Sequence, residues 1–327
     1  YLGWSNYWLE AAFWDIKGKA EGKPLWRMLG GNPDMLPTDR RVRVYASTGE
    51  IHAPEQRAEE VLRLQDQGFE AVKLRVHDFD LQEDIRQIET VRKAVGDAMQ
   101  IGVDANQGWR VALIDDAPLW DLERAVKFAD ACADNGIAWL EEPLDMHGWD
   151  DLAELRRRAR IPIAGGELNA GWQEFQVMLE KGCFDIYQPD ATFGGGIGDA
   201  KKVQQACTER GLHFAPHTWS NGFSMMVNLH VHASGAMDHP LEYPIEPPGW
   251  TPEYRDALLV EPVLADSNGT VAVPEGPGLG IEIDEDSLGR YGEKFFEITT
   301  KGIAVKTIRE KGLFTALKLA RKKKRRG

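Results

Sequence analysis

From residue 42 onward, short runs of β-branched and apolar residues alternate with longer stretches whose apolar positions recur at helical spacing. That alternation predicts repeated βα units and a parallel sheet. Eight strands are expected, at about Val42–Ala46, Ala71–Val76, Gln100–Asp104, Ala138–Glu141, Pro162–Gly166, Asp185–Gln188, His213–Pro216 and Leu241–Tyr243. Helices are predicted at Ala53–Gln67, Asp84–Val95, Leu122–Asn135, Gln173–Lys181 and Ile197–Arg210. Eight parallel strands with helices between them over about 200 residues fit a (β/α) barrel better than an open doubly wound sheet. No GxGxxG follows the first strand, which weakens a dinucleotide-binding reading.

The flanks read differently. Residues 1 to 31 are an aromatic-rich amphipathic helix pair, broken by Gly22, Pro24 and the Gly30-Gly31 stop, and read as the end of a preceding domain. Residues 244 to 280 are rich in Pro and Gly and are expected to be loop, and residues 287 to 324 to be an appended helical tail.

Composition narrows the class. With 327 residues, 43% of them hydrophobic, 28% charged and 17 prolines, the chain suits a soluble enzyme with an ample core, and no apolar run reaches the ~18 residues of a membrane span. Lys318, Arg321, Lys322, Lys323, Lys324, Arg325 and Arg326 crowd the end; removing these seven charges from the net −13 leaves −20. So acidic a body argues against nucleic acid as the main partner and is compatible with bound cations. The basic tail is expected to be a solvated, frayed end. Cys132, Cys183 and Cys207 are widely spaced in apolar surroundings and read as reduced buried thiols, hence a cytoplasmic protein. The first residue, Tyr1, is expected not to be the true beginning of the protein.

In barrels of parallel strands the chemistry gathers at the C-terminal strand ends, and here those ends are unusually polar. Lys73 and Arg75 lie two apart on the second strand, so both face one side. Asp104, Glu141 and Glu167 end the third, fourth and fifth strands, Asp190 and His217 follow the sixth and seventh, and Glu242 lies in the eighth. Any one of these acids alone reads as a helix cap or an ion-pair partner. Three on consecutive strands would repel one another unless a hard divalent cation lay between them, and an all-oxygen set with vacant positions suits Mg²⁺, or Mn²⁺ as substitute, better than zinc. His217 titrates near neutrality and can shuttle a proton, with Asp190 to fix its tautomer. His52, His147, His230, His232 and His239 read as structural, and His213 as a core residue.

The segments AAFWDIKGKAEGKPLWRMLGG, VKLRV, VDANQGW, WLEEPL, GGE, QPDATFGGGI, PHTWSNG and GPGLGI, in that order, resemble the enolase superfamily, specifically its mandelate racemase-like subgroup of acid-sugar dehydratases and racemases. The resemblance runs from about Ala11 to Asp284. It implies a TIM-type (β/α)7β barrel in residues 41–243, with residues 1–40 the helical remnant of an N-terminal α+β capping domain. By the same resemblance residues 244–284 return towards that cap, while residues 285–327 form a helical, basic tail. It further implies that Asp104, Glu141 and Glu167 bind Mg²⁺, with Glu141 rather than Glu142 the second ligand. Asp190 and His217 would form a dyad, Asn106 would contact substrate, and Glu242 would hydrogen-bond the substrate carboxylate. The expected partner is a small carboxylate substrate, with neither nucleic acid nor membrane, and the protein is expected to be a homo-oligomer.

Arg75 departs from the family pattern, whose racemases carry a lysine there. A guanidinium does not give up its proton at ordinary pH, so Arg75 suits charge stabilisation or a carboxylate clamp, and the family uses Lys73 mainly to stabilise substrate charge. With His217 as the one competent base, dehydration of an acid sugar is the leading expectation. Racemisation, epimerisation or cycloisomerisation of a hydroxy acid comes next, and a metal-binding barrel without turnover is the reading from a different class.

Overall fold

The computed structural model describes residues 7–110, 116–293 and 299–324. By contacts the chain divides into two units, Tyr1–Asp284 and Glu285–Gly327.

The larger unit begins with α1 (Tyr7–Glu21) and the short α2 (Leu25–Met28), separated by Gly22 at φ 65°. The start of the expected helix pair, residues 1–6, lies outside the described residues. Regular alternation follows: β1 (Arg41–Ser47), α3 (Pro54–Asp66), β2 (Ala71–Arg75), α4 (Leu81–Val95), β3 (Gln100–Asp104), α5 (Leu122–Asp134), β4 (Trp139–Glu141) and α6 (Trp149–Arg158). It continues through β5 (Ile163–Gly165), α7 (Gly171–Lys181), β6 (Ile186–Tyr187), α8 (Gly196–Arg210), β7 (His213–Phe214), α9 (Gly222–Ala233) and β8 (Leu241–Pro244). The unit closes with α10 (Pro252–Arg255) and β9 (Thr270–Ala272). The smaller unit holds α11 (Glu285–Tyr291), α12 (Thr300–Lys311) and α13 (Leu313–Lys324). Residues 325–327 of the basic end lie outside the described residues.

Strands β1 to β8 form one parallel, curled sheet in the order β7-β6-β5-β4-β3-β2-β1-β8, so that sequential strands are neighbours and β7 and β8 are the ends of the hydrogen-bonded order. The expected barrel is seen to this extent. The strands are buried on both faces, which is why they read as apolar runs rather than alternations. Helices reinforce the pattern locally: Asp80, Asp121 and Asn221 each accept a backbone N–H at the start of α4, α5 and α9, and Gly182 and Gly211 end α7 and α8 in the left-handed conformation.

Two expectations are corrected. Residues 244 to 280 are not loop throughout. They hold α10 and β9, which pairs antiparallel with β1 at Arg41↔Ala272 and Arg43↔Thr270. The signal was the β-branched Thr270-Val271 after an Asn268-Gly269 turn, which a reading by Pro and Gly content passed over. His213 is not core: it opens the two-residue β7, its side chain is 49% exposed, and Nδ1 lies 2.6 Å from Asp238.

The N-terminal and C-terminal segments are joined through α9. His230 accepts the Trp26 backbone N–H at Nδ1 (3.2 Å) and, through Nε2, donates to the Leu279 carbonyl (3.0 Å), an arrangement that requires the neutral ring. Burial pushes His230 down to about 4 and His232 to about 3. The unfolded chain takes up protons at these residues below about pH 6.5 that the folded chain refuses, so each histidine makes stability fall with falling pH from about 6.5 towards its folded value. Removing either titration, in His230→Asn or His232→Asn, is expected to flatten the pH dependence of unfolding free energy by about 1.4 kcal/mol per pH unit between pH 6 and 5. Urea titrations at those two pH values test this, and slopes equal to wild type would contradict it.

Candidate active site

The candidate side chains stand on, or just beyond the C-terminal ends of, strands β2 to β8. Register fixes the first row: Arg75 of β2 pairs with Asp104 of β3, which pairs with Glu141 of β4. Glu167 follows β5 after Gly166, whose φ of 117° turns the chain there. Asp190 and His217 lie three residues beyond β6 and β7, and Glu242 is the second residue of β8.

Asp104, Glu141 and Glu167 are buried, and one oxygen of each lies within 4.8 Å of the others. Lys73, also buried, reaches Glu141, and lies 2.8 Å from Glu242 and 3.5 Å from Asp104. Neutral donors complete the set. Glu141 accepts from Trp139 Nε1 (3.2 Å) and Gln188 Nε2 (2.8 Å), while Glu242 accepts from Ser47 Oγ and the Thr218 backbone N–H, both at 2.7 Å. The Asn106 backbone N–H donates to Asp104 at 2.8 Å, and its own buried Oδ1 has no hydrogen-bond partner.

His217 is held on the opposite side. Its Nδ1 lies 2.9 Å from Asp190 Oδ2, and Asp190 Oδ1 in turn accepts from the Thr192 backbone N–H (2.7 Å), the Thr192 hydroxyl (2.7 Å) and Asn228 Nδ2 (3.1 Å). A carboxylate so saturated keeps the Nδ1 proton on the ring and leaves Nε2 for chemistry. Nε2 lies 3.4 Å from Glu167 and 3.9 Å from Glu242.

The charges are strongly interdependent. Burial opposes a charged His217, yet Glu167, Glu242 and Asp190 overcome it and raise the ring to about 10. Burial likewise opposes the Lys73 ammonium, and Glu141 and Glu242 hold it well above its usual value. Glu141 is pushed up to about 7 by burial against the pull of Lys73, whereas Glu242, against burial, is drawn down to about 2 by Lys73 and His217. Glu167 is raised, first by burial. Glu142, buried at φ 44° with one oxygen unpartnered, is raised well above its usual value by burial and then by Glu167.

These groups open on a cavity of about 320 Å³, into which Lys73, Arg75, Asp104, Asn106, Glu167, His217 and Glu242 face alongside Trp109, Leu168, Phe193 and Trp219. Glu141 lies behind Lys73 rather than on the lining. A larger groove of about 700 Å³ near Val260–Leu264 has only Lys19, Glu261 and Glu282 as charged lining and gathers no comparable set. A second acidic group, His52, Glu60 and Glu246, is already filled by the buried Arg57 guanidinium. Sequence reasoning missed Ser47, Thr218, Gln188, Thr192 and Asn228. Gln188 and Thr192 sit in the QPDAT segment; Asn228 lies in a helix buried at every position but Phe223, with no pattern to mark it.

Residues 56–287 match the family described as Enolase C-terminal domain-like, and the chain belongs to that family. Among curated relatives it is 34% identical to D-galactarolactone cycloisomerase of Agrobacterium fabrum, over 86% of this chain and 72% of that one. It is 31% identical to arabinonate dehydratase of Saccharolobus solfataricus, over 86% and 70% of the two chains. Among solved structures, a mandelate racemase/muconate lactonizing protein from Paracoccus denitrificans complexed with magnesium superposes with a TM-score of 0.72 at 28% identity, covering 85% of this chain and 72% of that one.

The site depends on a close approach beneath it: a Cβ at Gly102 would lie 2.1 Å from the Trp139 ring, whose Nε1 donates to Glu141. Gly102→Ala is expected to displace Trp139 and lower stability by about 1–3 kcal/mol, read as a reduced melting temperature. An unchanged melting temperature would show that the indole yields freely.

Proposed function

We propose that this chain is the catalytic part of a divalent-metal-dependent enzyme that removes the proton next to a carboxylate, and that its reaction is dehydration of an acid sugar to a 2-keto-3-deoxy acid. The observation that carries this reading is His217 Nε2 facing one cavity with Asp104 and Glu167, its ring fixed by Asp190. The donor set fits a hard cation: three buried carboxylates, all oxygen, with the unpartnered Asn106 Oδ1 beside them. Asp104, Glu141 and Glu167 would hold Mg²⁺, or Mn²⁺, which when bound supplies positive charge against the substrate carboxylate.

The chain's own residues do the rest. His217, relieved of the pull of Glu167, takes the α-proton at Nε2, and the resulting imidazolium is stabilised by Asp190. The enediolate then expels the β-hydroxyl, which takes that proton from His217 and leaves as water; ketonisation of the enol gives the product. Lys73 and Arg75 flank the other side as fixed cations that stabilise the substrate's negative charge, and Glu242, held ionised by Lys73 and two donors, serves the carboxylate end by positioning the Lys73 ammonium at 2.8 Å rather than by contact with that end itself. The cycloisomerase name of the 34% identical relative favours cycloisomerisation of a sugar-acid lactone as the second reading, which would use the same proton abstraction. In the same proposal the curled sheet is a (β/α)7β barrel and residues 1–40 are the end of an α+β cap. The buried free cysteines support a cytoplasmic setting, and the enzyme is a homo-oligomer.

Three outcomes are expected from assays on an acid-sugar library. EDTA treatment, or Glu167→Gln, abolishes turnover without unfolding the sheet, whereas full activity after metal removal would sink the metal assignment. His217→Asn eliminates both α-deuterium exchange and product; retained exchange would move the base to Lys73. Arg75→Lys restores a second titratable amine on the opposite face, and exchange or epimerisation gained there is expected. Exchange without release of water in the wild type would replace dehydration by the second reading.

A further inference from the structure

The unit Glu285–Gly327 lies almost wholly beyond the family match, which ends at residue 287, and its chemistry is unlike that of the rest of the chain. It carries thirteen basic and five acidic residues, +8, which leaves −21 for the larger unit. Its two longer helices, α12 and α13, follow one another through Gly312 at φ 78°. Ile303, Val305, Ile308, Leu313, Leu317 and Phe314 are all exposed on them, Phe314 at 88%. Among the described residues these stand with Lys301, Lys306, Arg309, Lys311 and Lys318, against the single acid Glu310 on the same two helices. Six further cations run on from Arg321 to Arg326 in the sequence.

We infer that this unit is a docking element for an anionic lipid surface, on which α12 and α13 lie rather than cross. Neither helix is long and apolar enough to cross a membrane. Clustered lysines and arginines next to exposed Phe, Leu and Ile are the composition of interfacial helices: the apolar side chains enter the acyl boundary while the cations meet lipid phosphates and carboxylates. A nucleic-acid partner would use the cations but leave six large apolar side chains in water. This proposal departs from the expectation, made from the sequence, of no membrane partner. Such docking is independent of proton abstraction in the larger unit.

The test is co-sedimentation of the full chain with vesicles. Binding to phosphatidylserine/phosphatidylcholine vesicles is expected to exceed binding to pure phosphatidylcholine at least tenfold, and to fall with added salt. Phe314→Ser with Leu317→Ser keeps every charge and is expected to reduce binding tenfold or more, with acid-sugar turnover and melting temperature unchanged; Lys311→Glu with Lys318→Glu should do likewise. Equal binding to both vesicle types overturns the inference, as does serine-substituted protein that binds like wild type. Tighter binding to duplex DNA than to anionic vesicles, undiminished by the serine substitutions, would overturn it in favour of nucleic acid. A melting temperature lowered by the serine substitutions, with no vesicle binding by the wild type, would overturn it in favour of contact within the protein.

Discussion

Mutual repulsion among buried carboxylates is the constraint around which the larger unit is arranged. Asp104, Glu141, Glu142, Glu167, Asp190 and Glu242 are all buried at one end of the sheet. Two like charges 4 Å apart cost about 4 kcal/mol even at an effective dielectric constant of 20, so such a cluster survives only with answering charge close by. Lys73 provides it on one flank and His217 on the other. Ser47 and Thr218 also donate to Glu242, and Trp139 and Gln188 to Glu141; Lys73 and His217 keep Glu242 ionised against burial, while burial pushes Glu141 up to about 7 against the pull of Lys73. Lys73 and His217 thus offset part of the negative charge of the pocket.

How far the sequence revealed this depended on whether a residue's role was local. Strand ends are legible as a set: one carboxylate closing an apolar run reads as a cap or an ion-pair partner, but Asp104, Glu141 and Glu167 close three consecutive runs, and the structure brings them within 4.8 Å. Ser47 and Glu242 are 195 residues apart, and only the pairing of β1 with β8 makes them partners. Helix α9 is buried at every position but Phe223, so it lacks the amphipathic stripe that marked its neighbours. His213 misled for the opposite reason: a strand of two residues has no alternation from which to read a facing.

The cavity has polar and aromatic parts of different origin. Polar groups come from strand ends, whereas Trp109, Phe193 and Trp219 come from the loops that follow. Trp219 is itself braced, stacked on Trp250 at 6.2 Å between ring centroids and pressed by Gly49, where a Cβ would lie 2.5 Å from the indole. Gly49 is in turn held by its N–H to Glu246, which Arg57 neutralises. The aromatic wall therefore answers to residues well outside it, and loops can change the shape of the cavity without disturbing the charges beneath.

The lateral row formed by Arg75, Asp104 and Glu141 carries a further implication. Side chains alternate faces along a strand, so a slip of one residue in β3 or β4 would turn that strand's acid away from the cavity and into the layer of helices. Parallel strands this short and this uniformly apolar have little else to set their alignment. Charge pairing with Lys73 would then act as a spell-check on assembly, rejecting misaligned sheets that hydrophobic burial alone would accept.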